Sequence, residues 1–265
     1  MLNNISTRIF ILLGLFWVSI AVQASIVGKA ITYTVQGSNL IGYIAYDDAS
    51  KTKRPGVLVV HDSWGLNQNI KNQTKKLAQL GYVALAVDMI GNGNYATHPK
   101  LANLYGGDML RHLDIAKERF LAARKVLTSQ QFTNPDKIAA VGYGYGGAIV
   151  LEMVRQSVNL TAAVTVYGIL KSNSSPDFKQ VKTKVLICNG EADSAVKSAQ
   201  IAALKNEMTK AKLKFEFKSY ADAKHAFSDP DITAIGKKFN LDYEYSKDAD
   251  QRSWQDIKTF LNKAF

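Results

Sequence analysis

An acid at Asp193, a base at His225 and a glycine-dense turn centred on position 144 are the parts of this chain that point to chemistry. The apolar run 138–141 has the character of a buried strand. It breaks into Gly142-Tyr143-Gly144-Tyr145-Gly146-Gly147, and Ala148, Ile149, Leu151 and Met153 then open a helix. A sharp turn of this kind serves either of two purposes. One is a nucleophile elbow, whose small flanking residues let the middle side chain stand at the top of a sheet. The other is a dinucleotide-binding turn, and Gly142, Gly144 and Gly147 satisfy its G-x-G-x-x-G spacing.

The two uses make opposite demands. An elbow needs Ser or Cys at position 144, and Gly144 has no side chain to attack with. A dinucleotide turn wants that glycine, but it also wants to open a βαβ unit, with an acidic residue about 20 positions on. Here at least three strands precede the turn. The strand that follows, 161–166, ends in Tyr167-Gly168 without a carboxylate. The dinucleotide reading is therefore the weaker.

Asp193 and His225 each follow a strand of their own, in Asn189-Gly190-Glu191-Ala192-Asp193 and Ala223-Lys224-His225. Alone, Asp193 reads as a helix N-cap and His225 as a loop histidine. Together with position 144 they reproduce the chain order nucleophile, acid, histidine of α/β-hydrolases. The histidine is then a general base and the acid orients it. The loop after an early strand, His61-Asp62-Ser63-Trp64-Gly65, is placed to supply one backbone N–H of an oxyanion hole, from Ser63; Tyr145, just past the nucleophile position, supplies the other. Trp64 either walls a substrate pocket or anchors the loop. His61 and Asp88 are expected to be structural, at their strand ends. Cys188, in the apolar run 184–188, is expected to be a core residue.

Positioning these groups takes a regular alternation of elements. Strands are expected over 31–35 and 40–46 (a hairpin or adjacent edge strands), 57–60, 82–87, 138–141, 161–166, 185–188 and 213–220. Helices are expected from after Gly65 to about Leu80, over 107–127 as one long helix, from Ala148, over 195–210 and at the C-terminus. Leu113, Ala116, Phe120, Ala123 and Leu127 repeat at 3-4-3-4 spacing, a core-facing stripe. This pattern predicts an α/β fold, a mostly parallel central sheet with helices on both faces.

Residues 1–24 have the layout of a cleavable export signal: Arg8, an apolar stretch 9–21, and small residues at 22–24 before Ser25. The apolar stretch is shorter than the ~20 residues that span a bilayer. The mature chain, 25–265, is expected to be one exported domain, periplasmic or secreted, with no stable membrane insertion. The net charge of +11 falls to +10 without Arg8. Its lysines are scattered, and no nucleic-acid motif is present.

The sequence resembles the dienelactone hydrolase family from about Ala30 to the C-terminus. The matching stretches are 56–67 with His61-Asp62-Ser63-Trp64-Gly65, 81–88, 138–147, 184–190 with Asp193, and His225-Ala-Phe-Ser-Asp-Pro230. The resemblance implies an α/β-hydrolase fold that works without a cofactor on small esters or lactones through a Cys–His–Asp triad. It matches His225 and Asp193 to the base and the orienting acid. Asp62 falls where the family often carries a glutamate that meets the resting thiol, and Gly144 falls on the nucleophile. Without a thiol or hydroxyl there is no acyl-enzyme by the usual route. The expectation is a weakened hydrolase using activated water, or an inactive relative that binds a small ligand in the same pocket. Glycine also frees the elbow of the strain a Cβ brings there, about 1–3 kcal/mol.

Overall fold

The computed structural model describes residues 25–172 and 181–265; the expected export signal at 1–24 lies outside the described residues. One eight-stranded sheet runs through them. β1 (Ile26–Val35) and β2 (Ser38–Asp47) form an antiparallel hairpin at one edge, and β2 pairs antiparallel with β4 (Val83–Val87). From β4 the order continues through β3 (Arg54–Val60), β5 (Thr133–Tyr143), β6 (Ala162–Val166), β7 (Lys184–Gly190) and β8 (Phe215–Tyr220), all parallel. The chain is an α/β-hydrolase fold with a mostly parallel sheet.

Alternation along β3 shows how the sheet is covered. Val57 and Val59 enter one apolar cluster with Ile70 and Leu77 of α1 (Gln68–Gln79) and Ile257 and Leu261 of α7 (Lys247–Ala264). Leu58 and Val60 enter the other, with Phe120 of α3 (Leu113–Thr128), Ile149 of α4 (Tyr145–Arg155) and Leu204 of α5 (Ser198–Lys210). A two-residue period sends successive side chains to opposite faces, so a strand buried on both sides is apolar throughout. All of Val57, Leu58, Val59 and Val60 are buried.

Two helix expectations need correction. The long helix over 107–127 is two helices, α2 (Pro99–Arg111) and α3, which meet at His112, whose backbone leaves the helical region at φ −116°, ψ 62°. The stripe from Ala116 to Leu127 is buried as expected. It misplaced the start of the element because α2 carries no comparable stripe: Pro99 sits at its first turn, and Gly106 is held against the ring of Tyr145, 2.9 Å from where a Cβ would stand. A further helix, α6 (Ile232–Phe239), was not expected, and α5 begins at Ser198 rather than near Ala195.

Candidate active site

Strand register sets the floor of the site. Val60 lies beside Gly142, Tyr143 beside Val166, Val166 beside Cys188, and Gly190 beside Tyr220, so the carboxyl ends of β3, β5, β6, β7 and β8 finish side by side. In open α/β sheets this edge is where ligands bind.

The turn after β5 is tight because three of its glycines have no room to be anything else. A Cβ on Gly142 would stand 2.2 Å from the Gly146 carbonyl oxygen, one on Gly146 would stand 2.3 Å from the carbonyl oxygens of Val60 and His61, and one on Gly147 would stand 2.2 Å from the Thr165 hydroxyl. These contacts draw α4 onto β3, β5 and β6, and they give Gly142 and Gly147 a packing reason independent of any nucleotide. Gly144 differs from them. Its backbone takes φ +50°, ψ −118°, a conformation that strains any residue with a Cβ. A Cβ built there meets Asp62 Cβ at 3.1 Å, Tyr167 Cε2 at 3.5 Å and His225 Nε2 at 3.7 Å.

His225 and Asp193 are brought together by two stitched loops. Ala192 N–H donates to the Ala223 carbonyl at 3.1 Å and Glu191 N–H to that of Tyr220 at 2.9 Å. Gly190 lies so close beneath Ala223 that a Cβ would come within 2.2 Å of its oxygen. Across this seam His225 Nδ1 sits 2.9 Å from Asp193 Oδ2. The other Asp193 oxygen accepts the Ala195 N–H at 2.9 Å, a turn that precedes the helix instead of capping it. Both residues are buried. With Nδ1 turned to Asp193, the imidazole directs its Nε2 toward Gly144. Tyr167 and Tyr243 flank the ring, each 5.4 Å away between centroids.

The loop after β3 closes the site. Asp62 Oδ1 accepts the Trp64 N–H at 2.9 Å, and the Trp64 carbonyl accepts the Ala96 N–H at 2.8 Å. Trp64 is buried among Ala96, Ala102, Tyr105 and Tyr243, so it anchors the loop to α2 and to the segment before α7. Among the described residues no group accepts the Ser63 N–H. Tyr145 opens α4, where an N–H has no partner within the helix. Burial pushes the Asp62 carboxyl up to about 7, helped by Asp229 and opposed by the Trp64 amide and His225.

Other candidates have structural roles. His61 donates from Nδ1 to the Asp62 carbonyl at 2.6 Å and accepts the Met89 N–H on Nε2 at 3.2 Å; burial holds its pKa below the usual imidazole value. Asp88 accepts four backbone amides, from Ile41, Ile90, Gly91 and Gly93. Cys188 is buried, and desolvation pushes its thiol up to about 12. Among the described residues no three His, Cys, Asp or Glu are grouped to hold a metal ion. Sequence reasoning missed Tyr167 as a site residue. Its position at the end of β6 was the available signal, and its φ of +40° is uncommon for a residue with a side chain.

The model of the dienelactone hydrolase family matches residues 40–265. Protein usf of Aquifex pyrophilus is 29% identical over 205 residues, 76% of this chain and 87% of its own length. Among solved structures, a dienelactone-hydrolase-like promiscuous phosphotriesterase from metagenomic libraries is 29% identical with a TM-score of 0.84, covering 92% of this chain and all of its own. An α/β hydrolase from a Medee basin deep-sea metagenome shares the fold at 19% identity, with a TM-score of 0.67 over 89% of this chain and 98% of its own.

Proposed function

We propose that this chain, which belongs to the dienelactone hydrolase family, hydrolyses small esters or lactones with water in place of the missing nucleophile. One observation carries the reading: the vacant side-chain position of Gly144 lies 3.7 Å from His225 Nε2, and the far side of that ring is held by Asp193. A water molecule occupying the gap meets a base whose tautomer and orientation are already set.

The steps follow from the groups present. The substrate carbonyl oxygen takes the Ser63 and Tyr145 amides, which oppose the charge that develops on it. The water oxygen attacks the carbonyl carbon and one of its protons passes to His225 Nε2. The tetrahedral intermediate collapses, the bond to the leaving oxygen breaks, and His225 returns the proton to that oxygen. Ester and water become acid and alcohol; a lactone becomes one hydroxy acid. No acyl-enzyme forms. Loss of a triad member leaves on the order of 10³–10⁴-fold acceleration over water in related chemistry, so slow turnover is expected.

The absence of any side chain at Gly144 favours a second reading, a family member that binds the same ligands without turning them over. The discriminating experiment measures hydrolysis of 4-nitrophenyl acetate and a dienelactone by the protein and by His225→Ala. Turnover that disappears in the variant supports hydrolysis. Equal background rates for both, with saturable lactone binding by calorimetry, would replace hydrolysis with binding. The layout of residues 1–24 further supports export, and among the described residues no helix is long and apolar enough to cross a membrane.

A further inference from the structure

A water molecule that gives one hydrogen to His225 has a second hydrogen to place, and the wall of the gap holds a second acceptor. Asp62 reaches the site from the loop after β3, and its Cβ is the nearest atom to the vacant position at 144, at 3.1 Å. The residue is only 4% exposed. Its Oδ1 is engaged by the Trp64 amide, while among the described residues no donor hydrogen-bonds Oδ2. That oxygen is not among the fully enclosed polar atoms, so a water or a ligand can reach it.

We propose that Asp62 is a second catalytic residue, whose free oxygen accepts the other hydrogen of the attacking water. The proposal rests on the general-base reading above. With both hydrogens held, one by His225 and one by Asp62, a lone pair of the water is turned toward the carbonyl carbon. The proton that moves in the attack goes to His225. The hydrogen facing Asp62 stays on the new C–O–H and leaves as the product acid ionises. A cysteine at 144 would occupy this space, so the role exists because the side chain is missing.

The charged and titratable groups around Asp62 are His61 on its own loop, His225 and Asp229 on the loop after β8, Tyr167 at the end of β6 and Tyr243 before α7. Burial and Asp229 hold the carboxyl near 7, so it gains its charge around neutral pH, and the ionised form is the acceptor. Turnover should therefore rise as pH increases through about 7.

The test is Asp62→Asn, which keeps a side-chain oxygen for the Trp64 amide and removes the charge. We expect kcat to fall on the order of tenfold to a hundredfold with KM little changed, and the pH–rate profile to lose the part that follows Asp62 near pH 7, leaving only the limb of the general base. Thermal unfolding and circular dichroism establish that the variant is folded. If His225→Ala abolishes turnover while Asp62→Asn keeps both the rate and the pH profile of the wild type, the role of Asp62 falls and the hydrolase reading stands. If neither the wild type nor His225→Ala exceeds background, both fall together.

Discussion

His225 and Gly144 face each other across a gap one side chain wide: the imidazole Nε2 lies 3.7 Å from the point where position 144 would carry a Cβ. Asp193 holds the far side of the ring, and in the proposed reading the site lacks its nucleophile while the base and its orienting partner remain. Gly144→Cys should place a thiol within reach of His225 and convert slow hydrolysis into acyl transfer through the enzyme. We expect a pre-steady-state burst of nitrophenolate and a higher kcat for small activated esters. The cost is backbone strain at φ +50° and a close approach to Asp62, about 1–3 kcal/mol, read as a Tm lowered by several degrees. A folded variant with neither burst nor gain would mean that the gap is not aligned for attack.

Asp193 acts through His225, so its removal should be felt in the chemical step. In Asp193→Asn the amide nitrogen disfavours the tautomer that leaves Nε2 bare. An analogous change in a serine protease triad lowers kcat by about 10⁴-fold; here, where the starting rate is already small, a loss of at least about tenfold is expected. KM should change little, because Asp193 is buried beneath the ring, away from substrate. An unchanged kcat would show that His225 is not the base.

Much of this was legible in the sequence because it depends on local patterns. The apolar strands before positions 144 and 193 announce themselves by composition and the strand before 225 by an imperfect alternation, and the chain order of those positions survives the loss of the nucleophile. What was hidden depends on tertiary packing. Nothing in the pattern around Tyr243 says that the segment between α6 and α7 returns to cover His225. The break at His112 arises where α2, pressed on Tyr145 through Gly106, changes direction into α3. The vacancy at 144 was visible, but the burial of Asp62 beside it was not, because burial of a loop carboxylate is set by elements far away in sequence.

The turn glycines should be intolerant for reasons of space. Gly146→Ala places a methyl 2.3 Å from two carbonyl oxygens on β3 and its following loop, and backbone cannot rotate away as a side chain does. Forced overpacking of this kind costs about 1–3 kcal/mol and occasionally more. Chemical denaturation should show a lower midpoint at unchanged slope. Gly37→Ala is the useful contrast: nothing lies within 4 Å of its Cβ, so only its positive φ is penalised. An unchanged midpoint for Gly146→Ala would mean that α4 is not held to the sheet by this contact.

Asp62 also predicts how stability depends on pH. Its folded carboxyl titrates at about 7 and the ordinary value is 3.8, so between those values the folded chain holds a proton that the unfolded chain releases. Folding is then favoured at the acid end of the window, and the advantage is lost as pH rises through the folded value. Each pKa unit is worth about 1.4 kcal/mol, so up to a few kcal/mol should be lost from about pH 4 to above 7. Asp62→Asn has no such proton to lose, while Asp229 and Asp250, shifted the same way, remain in both proteins. Urea midpoints measured from pH 4.5 to 8.5 should show the variant gaining on the wild type as pH rises. A constant difference would place Asp62 in a hydrated setting. The charge that the attacking water needs is the one the fold resists: the site keeps a carboxylate where burial disfavours it, as expected of a group retained for chemistry at some expense of stability.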